Sequence, residues 1–249
     1  MRCAIVSDIH ANREALEAVL SEIDSLGLDV VYCLGDLVGY NADPDFCAGL
    51  IVSRADAIVR GNHDKAAAGL LNLDWFNDTA REAVRWTRRT ISTNTLGTLR
   101  SLAEGPREAE EGILLCHGTP YDEDAYLLDD RSMEMSFRCL DTDWPGVSFC
   151  FHGHTHWPLV ASRKRGEARI RVHARQEDAE LDAHSVYLVN PGSVGQPRDG
   201  IAMASFGILD TGRMLYMNRR VAYGVRQAQE KIMQAGLPPA LARRLAQGR

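Results

Sequence analysis

The chain has no Cys-x-x-Cys pair among its six cysteines, no apolar run near membrane-spanning length, no internal repeat and no low-complexity tract. Each absence removes a class of protein. Without paired cysteines there is neither a zinc ribbon nor a thioredoxin-type dithiol. Cys3, Cys33, Cys116 and Cys150 instead lie in apolar runs such as CAIV and ILLC, where a free thiol behaves as a small core residue. The opening MRCAIVSD is too short an apolar stretch for a signal peptide, and no later run suits a membrane span. A cytoplasmic location with reduced thiols is therefore expected.

What remains is an ordinary globular composition. The 249 residues are 45% hydrophobic and 25% charged, with a net charge of −6, which excludes disorder and fibre. With no linker in view, one domain over residues 1–249 is expected, ending in a helical segment at about 222–249. The charge is uneven: residues 212–249 carry eight basic side chains against Glu230, a net of +7, which leaves −13 for the rest. Val225, Ala228, Ile232, Leu237, Leu241 and Leu245 interleave with these cations at helical spacing. That pattern predicts amphipathic helices packed on an acidic body and not a nucleic-acid tail.

Strand and helix signals alternate at the start: CAIV, then Ala15, Leu16, Val19, Leu20 and Ile23 at helical spacing, then VVYCL at 30–34. This is a βαβ unit and so a parallel sheet, with Asn12 as helix N-cap and Gly27 as stop. A short helix after Pro44 leads to AIV at 57–59, helices follow over 74–103, and GILLC at 112–116 opens a second half. After a helix near 131–140, the pattern turns to strands at 148–151, 158–161, 168–172, 185–189, 203–209 and 214–218. Two sheets are expected.

The chemistry is written at strand ends. Asp8-Ile9-His10, Gly35-Asp36, Gly61-Asn62-His63-Asp64, His117 and Gly153-His154-Thr155-His156 each follow a predicted strand. Asp8 and His10 stand two apart, so that in an extended segment both side chains point the same way. One such residue alone is usually a cap or turn. In a mostly parallel sheet, however, the carboxyl ends of the strands open on one edge, where residues far apart in sequence converge. His152 continues the alternation with His154 and His156 but reads as structural, and His173 and His184 read as solvated.

In these blocks the sequence resembles the calcineurin-like metallophosphoesterase superfamily, whose D-x-H, G-D, G-N-H-[DE], H and G-H-x-H motifs match in order. The loop Asn190–Arg198 is similar to one in its short bacterial and archaeal members. The resemblance implies an α/β fold, a four-layer αββα sandwich in which two facing, mixed sheets carry the ligands along one end. It further implies a first metal on Asp8, His10, Asp36 and His156, and a second on Asp36, Asn62, His117 and His154. Histidine nitrogens and an amide oxygen without thiolate suit Mn, Fe, Zn, Co or Ni, manganese being the first to try for activity. Two such ions would lower the pKa of a bridging water toward about 7 and create the attacking hydroxide. His63 is implied as general acid, with Asp64 orienting its other nitrogen.

Asn12 and Arg198 are candidates for substrate contact, Arg198 through a guanidinium that can grip phosphate. Tyr40 is a weaker one. Residues Asp122, Glu123, Asp124, Asp129 and Asp130 read as a solvated loop or as a rim that repels polyanions. Protein phosphatases and dinucleoside tetraphosphatases of the superfamily place an arginine in a G-D-x-V-x-R-G block, and here the chain reads Gly35-Asp36-Leu37-Val38-Gly39-Tyr40. A small phosphate ester, mono- or diester, is therefore the first expectation, ahead of a dinucleoside polyphosphate or a phosphoprotein. A metal-binding regulatory protein is the non-enzymatic alternative. A metallo-β-lactamase type of hydrolase is excluded by the missing H-x-H-x-D-H block, since Trp157-Pro158 follows His156.

Overall fold

The computed structural model describes residues 1–28, 30–173 and 178–249. Strand β1 (Arg2–Val6) leads through helix α1 (Arg13–Ser25) to β2 (Val30–Cys33), parallel to β1. Asn12 Oδ1 accepts the amide of Ala15 at 3.2 Å, and Gly27 ends the helix with φ +61°, a conformation that costs glycine little. Helix α2 (Pro44–Arg54) returns the chain to β3 (Ala57–Ile58), parallel to β2. Helices α3 (Asn62–Ala67), α4 (Asp78–Thr90) and α5 (Thr93–Ser101) complete the first half.

The second half runs β4 (Arg107–Glu110), β5 (Ile113–Leu115), α6 (Asp130–Thr142), β6 (Phe149–Phe151), β7 (Leu159–Lys164), β8 (Ile170–Val172), β9 (Ala179–Glu180) and β10 (Ser185–Asn190). Strands β11 (Ala204–Asp210) and β12 (Leu215–Val221) then precede α7 (Val225–Gln234) and α8 (Pro239–Gln247). Two six-stranded sheets result, ordered β3-β2-β1-β11-β12-β9 and β4-β5-β6-β10-β7-β8. Each contains a parallel trio, β3-β2-β1 in one and β5-β6-β10 in the other, extended by antiparallel partners.

Alternation along the strands builds the four layers. Cys3 and Ile5 point between the sheets, where they join Tyr32, Leu209 and Tyr216 against Ile113, Leu115, Phe149, Phe151 and Tyr187. Ala4 and Val6 face the opposite way, onto Leu16, Val19, Leu20 and Ile23 of α1 and Ile51 of α2. On the far side Leu114, Cys150 and Leu188 carry Met133, Phe137 and Leu140 of α6. The expected αββα sandwich is the observed fold, and all six cysteines are buried as free thiols. Helices α7 and α8 bury Ala228, Ile232, Leu241 and Leu245 against Tyr40, Phe76, Ala80 and Val84, while Lys231 pairs with Glu14 and Asp43.

Several local expectations change. Strand β4, for which the sequence offers no strand pattern, pairs antiparallel with β5 at the sheet edge. Residues 168–172 shorten to β8, and the two-residue β9 has no signal of its own. His173 is half-buried, its Nε2 2.8 Å from Ser162 Oγ, rather than solvated. Glu123 and Asp124 do not form a free loop: buried Lys65 of α3 binds both, at 2.9 and 2.5 Å.

Candidate metal centre

Six loops meet at one end of the sandwich, those following β1, β2, β3, β5, β6 and β10, the carboxyl ends of the two parallel trios. They deliver Asp8 and His10, Asp36, Asn62 and His63, His117, His154 and His156, and the segment Asn190–Arg198, respectively. Asp8 and His10 do not alternate on an extended strand. Both lie beyond the last residue of β1 and adopt left-handed backbone, φ 54° and 50°, as do Ala11, Asp36, Tyr40, His154 and His156. Such conformations are costly for residues with a β-carbon, and their concentration here marks strain held by the surrounding fold.

The first candidate set is Asp8, His10 and His156, all buried. His10 Nδ1 lies 3.1 Å from Val38 O and His156 Nδ1 2.6 Å from Gln196 O. Each Nδ1 thus donates to a carbonyl, which turns an unprotonated Nε2 toward the centre, the arrangement of ligating histidines generally. The two Nε2 atoms are 3.2 Å apart, and Asp8 Oδ1 is 3.3 Å from His156 Nε2. Two facing lone pairs repel unless something positive lies between them, and the spacing suits nitrogens sharing one cation at about 2.0–2.1 Å. Asp8 is itself fixed by Ser7 Oγ at 2.6 Å and by the amide of His154.

The second set is Asp36, His117 and His154, joined by Asn62. His117 Nδ1 donates to Leu34 O at 2.8 Å, leaving Nε2 3.1 Å from Asn62 Oδ1 and 3.4 Å from Asp36 Oδ2. His154 Nε2 meets the carbonyl of Asp124 at 3.1 Å, so Nδ1 is its available ligand atom. Asp36 lies between the sets. Its Oδ1 accepts the amide of His63 at 2.8 Å, whereas Oδ2 is buried without a hydrogen-bond partner, 3.6 Å from His10 Nε2 and 3.4 Å from His117 Nε2. An orphaned carboxylate oxygen between two nitrogen clusters is a costly arrangement unless cations satisfy it. Both clusters could hold a metal ion, and nitrogen with oxygen donors suits a transition metal.

Burial dominates the electrostatics. It holds His10, His154 and His156 well below the ordinary histidine range, in the neutral form that a ligand requires, and lifts Asp8 to about 6. For His117 burial is outweighed by the charge of Asp36, which raises it to about 10. Asp36 correspondingly stays well below the carboxylate range: burial opposes this, but His117 and His63 prevail.

His63 is buried, packs edge-on against His10 and Phe76, and is lowered to about 4 by burial. With Asp36 and His10 it also satisfies the spacing of a ligand group. Its Nδ1 has no partner and lies against Gly39, where a β-carbon would come within 2.5 Å. The expectation that Asp64 orients His63 is therefore corrected. Asp64 Oδ1 accepts the amides of Leu37 and Val38 and Oδ2 that of Gly61, so the carboxylate fixes the loop that bears Asp36. Asn12 also changes role: Oδ1 caps α1 and Nδ2 donates to Gly195 O at 2.8 Å, tying the 190–198 loop to α1. Arg198 approaches the centre, with Nη2 3.1 Å from Gln196 Oε1 and 3.4 Å from Tyr40 Oη. His152 is buried against Asn190, a structural position.

Other residues carried no sequence signal. Val38, Leu34 and Gln196 act through backbone carbonyls, which any residue supplies. A cavity of about 580 Å³ opens beside Asn62, His63 and His154 and is walled by Tyr40, Trp75, Phe76 and Tyr126, with Tyr126 stacked on His154 at 3.7 Å. Only folding brings these aromatics together.

Comparison with known proteins identifies the family and the fold. A protein of Methanocaldococcus jannaschii described as uncharacterized is 38% identical over 250 residues, covering 99% of this chain and 98% of that one. The crystal structure of a metallophosphoesterase from Sphaerobacter thermophilus superposes with a TM-score of 0.84 at 37% identity, covering 100% and 99% of the two chains. A hypothetical protein from Pyrococcus horikoshii shares the fold, with TM-score 0.78 at 18% identity and 100% and 98% coverage. Residues 1–214 match the model of the calcineurin-like phosphoesterase superfamily domain, and the chain belongs to that superfamily.

Proposed function

We propose that this chain holds two divalent transition-metal ions and hydrolyses small phosphomonoesters or phosphodiesters. One ion would rest on Asp8, His10 and His156, the other on Asn62, His117 and His154, with Asp36 common to both. Such a pair supplies a water acidic enough to attack near neutral pH and offsets the charge of the phosphate during in-line displacement. The remaining work falls to side chains. Arg198, steadied by Gln196 and Tyr40, offers N–H donors to phosphate oxygens. His63, in the wall of the cavity, would give a proton to the leaving oxygen, and a bound phosphate dianion would raise its proton affinity.

The observation that carries this reading is Asp36 Oδ2, buried and unpartnered between His10 and His117. The test is metal analysis of the purified protein, then a screen of phosphomonoesters, cyclic and linear phosphodiesters and dinucleoside polyphosphates with manganese restored after chelation. Two ions per chain and turnover of a small ester support the proposal. Bound metal with no ester hydrolysed, a generic nitrophenyl phosphate included, would favour a regulatory metal-binding protein instead.

A further inference from the structure

The cavity beside the metal centre has a composition that narrows the substrate. Its wall contains four aromatic side chains, Tyr40, Trp75, Phe76 and Tyr126, together with Asp122 and Asp124, and no lysine or arginine among the described residues. Lys65, the cation beneath this loop, is taken up by Glu123 and Asp124. Arg198 stands at the inner end beside Tyr40, while Arg81 and Arg88 are bound behind the wall to the carbonyls of Phe76 and Leu71. A second phosphate extending into the cavity would meet the Asp122 and Asp124 carboxylates and no cation in the wall itself. A neutral group with hydroxyl or amino donors would find acceptors there.

The aromatic surface is unusually open. Trp75 is 87% exposed and Tyr126 45%, although both line a concave site. A short 3₁₀ turn, Leu73–Trp75, holds the indole at the mouth, with Asn72 capping it through the amide of Asp74. Rings held on a fixed turn at the rim provide stacking faces at little conformational cost. The volume, about 580 Å³, falls in the range of sites for drug-sized molecules.

Resting on the phosphoesterase reading above, we propose that the leaving group is a nucleoside, with its base against Trp75 and Tyr126 and its ribose hydroxyls toward Asp122 and Asp124. The substrate class is then a nucleoside monophosphate ester and not a polyphosphate. In its hydrolysis the oxygen of water bonds to phosphorus, the phosphorus–oxygen bond to ribose breaks, and that oxygen takes a proton from His63. Nucleoside and inorganic phosphate are the products.

Two measurements on the full chain test this separately from the parent reading. Adenosine, which carries no phosphate, should quench tryptophan fluorescence of the metal-free protein, and the quench should disappear in Trp75→Ala. With manganese restored, kcat/KM for AMP should exceed that for ribose 5-phosphate by about tenfold, as expected for stacking of one base. That ratio should fall at least about threefold in Trp75→Ala, on the same stacking argument. No adenosine-dependent quench, or equal kcat/KM for the two esters, overturns the nucleoside assignment. An adenosine quench in a protein that hydrolyses no ester leaves the nucleoside site standing and removes the phosphoesterase reading instead.

Discussion

A β-carbon at Gly61 would fall on Asp36 Oδ1, the oxygen that accepts the amide of His63. The backbone of Gly61, φ −90° and ψ 170°, is open to any residue, so the requirement for glycine is one of space and not of torsion. Gly61→Ala is expected to push the Asp36 carboxylate aside. Bound metal should be lost and activity should drop on the order of 100-fold, as when groups supporting a metal ligand are removed. Elemental analysis of dialysed variant checks this, and full metal content with full activity would refute it.

His63→Ala separates acid from ligand. Its imidazole faces the cavity wall, and loss of a general acid costs about 10²–10⁴ in turnover. Metal content should be retained, so the pair of readings is kcat and bound metal on the same preparation. A variant that loses an ion would place His63 among the ligands, as its spacing to Asp36 and His10 permits.

Asp64→Ala should act on stability first. Three buried backbone N–H groups, of Leu37, Val38 and Gly61, would lose their acceptor, at about 1–3 kcal/mol for each group left unsatisfied. Urea denaturation of the metal-free protein is expected to show a loss of about 3 kcal/mol or more, on the same accounting. His63→Ala, whose Nδ1 bonds to nothing, should show far less.

Chelation should lower the melting temperature reversibly. A cation that binds only the folded chain at a hundred times its Kd contributes about 2.7 kcal/mol, or roughly 5–10 °C for a protein of this size. Differential scanning calorimetry before chelation, after it and after manganese is restored measures the shift. Coincident melting curves would mean that the facing nitrogens of His10 and His156 hold no ion.

Layering and the ligand clusters were legible because each rests on a local pattern. Alternation in CAIV separates Cys3 and Ile5 from Ala4 and Val6, and the convergence of strand ends brings Asp8, Asp36, His117 and His156 together. The edge strand β4 was hidden because Arg107, Glu108 and Glu110 are exposed and Ala109 alone turns to the core, too little to mark an alternation. Asp64 differs for another reason: the resemblance implied contact with His63, but α3 turns successive side chains to different sides, and Asp64 reaches the Leu37–Val38 amides instead. Nothing in the residues 71–80 or 122–126 foretold a shared cavity, since that depends on how two distant loops meet.

Among the described residues, seven of the eight non-glycine residues with positive φ surround the candidate metal centre. At roughly 1–3 kcal/mol apiece, this contortion is present without an ion and is held by the packed sheets behind it. The cage is therefore finished before its guest appears. Capture and release of the cations should then proceed without remodelling of the main chain, and exchange of one metal for another should leave the loops where they stand.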